Sequence, residues 1–409
     1  MSLSTPESVL NNRNDAPGQS QLHLVWTRFR QDRYALIAGC LILILFLIAI
    51  YAPLLAQNKP LVFDQNGAIG SPLLREIFAP SDSPERILEQ FFNFVMVLTT
   101  ACTVILLPLW AMARTHSRNV ARHVIRTGLV ILAVATLVPF TVIRPRLDKT
   151  DYRQLASAPT PGTRIALMPP VPFGPFEQPA MAFGPPSHKH LLGTDKIGRD
   201  VLARLIHGTR VSLSVGFVAV AIYLIIGIMI GSLAAYLGGW TDLIVQRCIE
   251  VVICFPTFLL ILTIMAFMDH RSIFNVVLVI GLTGWTQVAR LVRGEVLKQK
   301  QLDYVAAART LGLGRVRIIF RHILPNAMAP VLVAATFGVA GAILTETSLS
   351  FLGFGVRQPT ASWGELLNQA QAWPAGYWWL MAWPGVMIFI TVTVFNLVGE
   401  GLRDALDPR

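Results

Sequence analysis

An all-α, polytopic membrane helix bundle is the fold class this sequence predicts, and three observations predict it. Of the 409 residues, 54% are hydrophobic and only 14% are charged, where a soluble domain carries roughly 25% charged residues. Several uncharged apolar stretches are long enough to cross a hydrocarbon core, which takes about 20 helical residues. The 34 Lys and Arg sit mainly in the segments between those stretches. A disordered chain, a secreted disulfide scaffold and a soluble multidomain enzyme are excluded on these grounds.

The net charge of +11 raises nucleic-acid binding as a reading. None of the basic segments interleaves aromatic residues as a strand-binding surface does, so no nucleic-acid partner is expected. Lys and Arg in short loops instead orient a membrane protein, being held on the cytoplasmic side. Cys40, Cys102, Cys248 and Cys254 fall in or beside apolar runs with no Cys/His ligand spacing. They read as buried thiols, and no metal site is expected.

The elements follow in order. Residues 1–33 read as a cytoplasmic tail, because Arg28, Arg30 and Arg33 precede the first uncharged run, residues 34–56. That run is too long for a signal peptide and reads as a retained anchor. Residues 57–190 read as outer loops interrupted by an inserted transmembrane hairpin over 91–143. The hairpin's tip, Arg114 to Arg126, has four arginines and no acid, which places it in the cytoplasm. Its second arm is short, so Arg126 and Arg144 must snorkel. Residues 144–190 form a Pro-rich linker whose basic excess runs against its outer assignment.

Residues 191–210 read as an outer, amphipathic helix. Asp200 is placed to cap it, Thr194 or Asp195 to cap the turn before it, and Val201, Leu202, Leu205 and Ile206 form its apolar side. Apolar runs follow at 211–239, 251–268, 272–289, 326–345 and 376–399, within a region spanning 211–401, and residues 402–409 end the chain as a cytoplasmic tail. The loop over 290–325 carries eight Lys/Arg against two acids, so it is cytoplasmic. Counting crossings gives the same answer, with eight spans if the hairpin inserts and six if it does not. Gly227 and Gly231 are spaced for close helix packing. Glu346 is the one acid abutting the apolar interior of its span, at the outer end.

The 290–325 loop holds the densest signal. Tyr304, Ala307, Ala308 and Leu311 fall on one apolar helical face. Gly312 and Gly314 break that helix, with Gly312 as the bend. A second amphipathic helix follows, with Val316, Ile319, Phe320 and Ile323 on one face, until Pro325 opens the next span. The residues alone allow two readings: helices that dock into a partner's groove, or a loop lying on anionic lipid.

The run Ala306-Ala307-Ala308-Arg-Thr-Leu311-Gly312, followed by Leu324-Pro325, resembles the EAA loop of ABC-importer permeases, with Ala306 where the pattern has Glu. Further segments resemble the same family. They are His190-Leu-Leu-Gly193-Thr194-Asp195-Lys-Ile-Gly198-Arg199-Asp200, Ser348-Leu-Ser-Phe-Leu-Gly-Phe-Gly355, Pro359-Thr-Ala-Ser-Trp-Gly364 and the closing Gly401-Leu-Arg-Asp-Ala-Leu-Asp-Pro-Arg409. Together they resemble the second permease of dipeptide, oligopeptide and nickel importers over about residues 188–409, and more loosely over 22–61. Residues 91–187 have no place in the pattern.

The resemblance implies a type I ABC-importer bundle of six core spans, here with the extra hairpin for eight in all, in the cell inner membrane with both termini cytoplasmic. It implies a second homologous permease subunit, two cytoplasmic ATP-binding subunits, an extracytoplasmic solute-binding protein, a peptide substrate and membrane lipid as partners. It makes Tyr304, Ala306, Ala307, Ala308, Leu311, Gly312, Leu324 and Pro325 the ATPase-docking set, and Gly193, Thr194, Asp195, Gly198, Arg199 and Asp200 the outer motif. No Gly-x4-Gly-Lys-Ser/Thr occurs in the sequence, so ATP and Mg are expected on the partner ATPases and no cofactor or catalytic residue on this chain. Nickel or another small solute is the alternative cargo. A proton-coupled transporter is disfavoured, because no carboxylate pair or His/Asp relay occupies a span, and so is a membrane enzyme, because no nucleophile/base constellation is visible.

Overall fold

The computed structural model describes residues 21–65, 68–80, 83–106, 118–145, 150–157, 163–268 and 272–407. The first 20 residues of the expected tail, the hairpin tip around Arg114, parts of the linker and residues 408–409 lie outside the described residues.

Helix α1 (Gln21–Gln31) leads through Asp32 into α2 (Arg33–Ile50), the first long apolar helix. Asp32 accepts the N–H groups of Tyr34 and Ala35 at 2.9 and 3.3 Å, which satisfies two donors that the helix start leaves open. The inserted segment begins with α3 (Arg86–Ala101), which runs on through a π-turn over Cys102–Leu106. Helix α4 (Arg118–Val142) folds back on it. The Phe140 ring meets Phe94 and Phe78 edge-on, with centroids 5.9 and 5.1 Å apart.

The second half holds α5 (Val201–Leu237), α6 (Gly239–Ile253), α7 (Thr257–Ala266) and α8 (Ile273–Gln299). The short α9 (Asp303–Thr310) precedes α10 (Arg315–Phe351), α11 (Trp363–Gln369) and α12 (Trp378–Leu406). One buried apolar cluster runs through α5, α8, α10 and α12. Gly227 and Gly231 face α8 as their spacing predicts. A Cβ at Gly227 would come 2.6 Å from the Val288 Cβ, and one at Gly231 would strike the Ala289 carbonyl. The missing side chains are what let the two backbones approach.

Among the described residues six helices are long and apolar enough to cross a membrane (α2, α3 with its π-turn, α5, α8, α10 and α12), or seven if α6 and α7 count as one bent span. The expectation of eight spans is not confirmed among the described residues, and one of the expected spans is corrected. Residues 251–268 are not a straight span, because α6 and α7 meet at 76° across Cys254–Pro256. Proline supplies no N–H and pushes the residue before it out of the helical region. Residues 124–143 lie within α4, a helix of 25 residues whose apolar part includes Thr127–Val142.

A second correction concerns 191–210. No separate surface helix forms there. Residues 191–200 make turns, and 201–210 are the first turns of α5, whose 37 residues span about 56 Å, well beyond a core of about 30 Å. The side expected to face water packs inward instead: Arg204, His207, Thr209 and Arg210 are all buried. The cysteines also differ from expectation, with Cys40, Cys248 and Cys254 exposed on the chain's surface and Cys102 partly so, all as free thiols.

The bundle also carries a small sheet, in segments where the sequence pattern indicates loop. Strands β1 (Val62–Gln65), β2 (Ala68–Gly70) and β3 (Thr163–Leu167) pair antiparallel in the order β2-β1-β3. The β1–β3 ladder ties the start of the insertion to the linker that closes it.

Candidate functional site

Two ends of the bundle carry the motifs. The loop end bears residues 290–325, and the opposite end bears residues 190–210 and 350–370.

At the loop end, α9 stands on two buried residues, Val305 and Ala308, which belong to the same buried cluster as Ile318, Ile319 and Ile323. Tyr304 is half-buried, its hydroxyl donating to Gln299 Oε1 at 2.7 Å. Ala306, Ala307, Leu311 and Gly312 point away and are exposed, Leu311 by 79%. The apolar face expected from spacing is thus split: Ala308 anchors the helix, while Ala307 and Leu311 are offered outward. Gly312 ends the helix with φ +72°. Its N–H bonds to the Arg309 carbonyl at 3.0 Å, and that of Leu313 to the Ala308 carbonyl at 3.2 Å. This pair is a Schellman cap, completed by Leu313 packing on the core, and it needs a left-handed residue at Gly312. A Cβ there would meet nothing within 4 Å, so the requirement is one of backbone alone.

The second amphipathic helix is not separate from the following span. Helix α10 starts at Arg315, widens to a π-turn over Ile319–Ile323 and continues past Leu324, which is buried, and Pro325, which is exposed. Pro325 cannot donate to the carbonyl four residues back and its ring would clash with it. The widened turn takes up that mismatch, with the Leu324 N–H bonding five residues back to Ile319. Its buried face is Ile318, Ile319 and Ile323, while Val316 and Phe320, expected on that face, are 67% and 46% exposed. Lys300 Nζ donates to the carbonyls of Ala235 and Tyr236 at 3.2 and 2.8 Å. It thereby satisfies acceptors at the end of α5 and complements the helix dipole there.

At the opposite end every residue of the outer motif is tied into the fold. Asp200 caps α5, accepting from the Ala203 N–H at 2.8 Å, and its second oxygen lies 2.9 Å from His190 Nδ1. Asp195 accepts from the backbone of Ile197 and Arg199 and from Arg199 Nε, at 3.0, 2.9 and 2.6 Å. The Thr194 hydroxyl accepts from the Gly184 N–H at 2.7 Å and donates to the Met181 carbonyl at 2.8 Å. Gly193 and Gly198 take the positive φ angles of the turns, +80° and +84°. Burial and the adjacent Arg204 pull Arg199 below the usual guanidinium range.

No local sequence pattern signals how far this clamp reaches. Arg204, fully buried, donates to Glu365 Oε2 at 2.7 Å and to the carbonyls of Pro175, Pro359 and Thr360. Trp379 Nε1 donates to the Thr194 carbonyl at 3.1 Å, so α12 joins as well. Glu346 is buried here, accepting from Ser350 Oγ at 2.7 Å. The insertion also reaches the core. Arg210 is paired with Glu89 of α3 and donates to the Ala49 and Ile50 carbonyls of α2, while Glu85 accepts the Ile273 N–H at 3.1 Å and so caps α8. Such pairs join residues far apart in the chain, and only composition hints at them, in charges beside apolar runs.

Between the two ends a cavity of about 660 Å³ opens among α5, α7, α8 and α10. Tyr223, Thr257, Thr283, Thr286, Gln287 and Thr345 put hydroxyl and amide groups on a wall otherwise made of apolar residues and glycine. Polar groups at this depth mark a solute path in a membrane bundle.

A multi-pass bundle with a polar-lined cavity, a buried clamp at one end and a glycine-capped helix offered outward at the other defines a transport subunit. The family of the binding-protein-dependent transport system inner membrane component matches residues 227–409, and the N-terminal TM domain of oligopeptide transport permease C matches residues 20–72. The oligopeptide transport system permease protein OppC of Bacillus subtilis is 41% identical over 225 residues, covering 55% of this chain and 73% of the relative. The dipeptide permease DppC of the same organism is 42% identical over 226 residues, covering 55% and 70%. The glutathione transport system permease protein GsiD of Pectobacterium atrosepticum is 41% identical over 224 residues, covering 55% and 74%. Among solved structures, a chain of the MetNI methionine ABC transporter aligns with 50% of this chain and 96% of its own, at 17% identity and a TM-score of 0.42. The chain belongs to the family of inner-membrane permease components of binding-protein-dependent ABC importers.

Proposed function

We propose that the chain is the permease subunit of an ATP-driven peptide importer and that it couples partner ATP hydrolysis to alternating access. The observation that carries this is α9, held by Val305 and Ala308 while Ala306, Ala307 and Leu311 are presented outward. In this reading the loop end is cytoplasmic, as are both termini, and each of two ATP-binding subunits, which bind ATP and Mg, receives one permease's helix. The Gly312 cap fixes the angle between α9 and α10, and Leu324 and Pro325 pass displacement of the loop into the span. A second, homologous permease closes the other side of the polar cavity, and an extracytoplasmic solute-binding protein meets the clamp end. Closure of the ATPases then rocks the bundle between two states around the cavity.

Relatives named for oligopeptides, dipeptides and glutathione favour a peptide cargo over nickel. Proteoliposomes holding the complete complex should accumulate a labelled dipeptide only when ATP reaches the ATPases and the binding protein is present. Accumulation driven by a proton gradient without ATP would overturn the reading.

A further inference from the structure

A second cavity, of about 360 Å³, opens at the clamp end between the insertion, the linker and the start of α5. Three carboxylates, Glu76, Glu89 and Glu177, line it, and no lysine or arginine does. Their cationic partners, Lys59, Arg210 and Arg153, lie outside that lining. The lining also holds Gln57, Asn58 and Ser83, so its carboxylates stand beside amide and hydroxyl groups.

Two buried side chains extend that pattern. His207, 5% exposed, has Nε2 at 2.9 Å from the Ala56 carbonyl. A carbonyl only accepts, so Nε2 carries a hydrogen, and in the tautomer whose single hydrogen sits there Nδ1 is an acceptor. Asn93, 2% exposed, donates through Nδ2 to the Ile77 carbonyl at 2.8 Å, leaving Oδ1 as an acceptor. Neither His207 Nδ1 nor Asn93 Oδ1 has a hydrogen-bond partner, and both residues line the cavity. Buried acceptors are ordinarily satisfied. Glu89 Oε1 lies 3.9 Å from His207 Nδ1, too far for a direct bond. A donor nitrogen about 2.8 Å from each would see them at roughly 90°, close to the spread of the hydrogens on an ammonium group.

We propose that this cavity binds a primary ammonium group, such as the amino terminus of a short peptide or an alkyl amine, through Glu89, Asn93 and His207, with Glu76 and Glu177, each ion-paired to a cation outside the lining, as flanking acceptors. The lining residues named here fall between the two family matches, which span 20–72 and 227–409. The site belongs to the part of the chain that those matches leave unassigned, and it does not depend on which solute the pore carries.

The test is equilibrium binding to the membrane complex, with the solute-binding protein and ATP both absent. Alanylalanine and putrescine are the ammonium probes. N-acetyl-alanylalanine lacks the ammonium, and tetramethylammonium carries the charge without an N–H. Saturable binding of either ammonium probe but of neither control is expected, and which of the two binds tells a peptide terminus from a simple amine. Asn93→Leu should weaken that binding about tenfold and Glu177→Gln about threefold. Thr286→Val, in the cavity between the spans, should leave it unchanged. Glu177→Gln is the second reading in case Asn93→Leu fails to fold. Equal binding of either control, no binding of both ammonium probes, or loss through Thr286→Val but not through the cavity variants would overturn the proposal.

Discussion

The two ends of this bundle use arginine in opposite ways. At the clamp end Arg199, Arg204 and Arg210 are at most 1% exposed, and each faces a carboxylate. At the loop end Arg309, Arg315, Arg317 and Arg321 are all exposed. Burying an ion pair costs much of what the pair returns, but removing one partner leaves a charge stranded. The clamp is therefore an arrangement that resists change once made, locking α2, α3, α5, α11 and α12 together. The loop end keeps its charges hydrated and its apolar residues uncovered, as a surface does when another molecule is to cover it. The difference teaches that one end holds the bundle together while the other leaves free the surface on which the proposed ATPase contact depends.

The sharpest way to break that contrast is to remove a clamp arginine. Arg204→Met should cost about 3–5 kcal/mol, because Glu365 and three carbonyls lose their donor in a buried place. Unfolding midpoints and membrane yield would show it. Replacing both members of the other pair, Arg210→Met with Glu89→Leu, should cost less than Arg210→Met alone, a double-mutant cycle read from the same midpoints. It also asks whether the insertion is part of the core, since Glu89 comes from α3.

Intermediate effects come from backbone positions. Gly312→Val forces a β-branched residue into a left-handed conformation at about 1–2 kcal/mol, with no clash to add. Asp200→Ala should cost about 1 kcal/mol through the lost cap of α5. Both are readable by denaturation, but only the first should disturb ATPase binding. The smallest effect on stability is expected at Leu311, where Leu311→Asp should stay within about 0.5 kcal/mol. Pull-down of the ATPase subunits should nevertheless fall about tenfold. A stability loss with docking intact would reverse the assignment of that residue.

What was legible in the sequence follows from how local each signal is. The long apolar helices announce themselves by composition. The Asp200 cap and the left-handed Gly312 are set within a few residues of chain, and both appear where spacing puts them. The Gly227/Gly231 contact is encoded on one helix face. What stayed hidden depends on distant partners. The polar side of residues 201–210 reads as solvated until Glu89 and Glu365 are seen to meet Arg210 and Arg204. The β1–β3 ladder joins strands about a hundred residues apart, each too short to show a pattern. The split of the α9 face, with Ala308 inward and Leu311 outward, depends on what Ile318, Ile319 and Ile323 leave room for.

The most direct test of the central claim is transport-stimulated ATP hydrolysis by the reconstituted complex carrying Gly312→Val, with membrane insertion and pairing of the two permeases verified on the same sample. The account predicts both intact, with ATPase docking weakened, dipeptide uptake lost and hydrolysis no longer stimulated by transport. Wild-type uptake together with wild-type coupled hydrolysis would contradict it, because the loop between α9 and α10 could not then be the mechanical link.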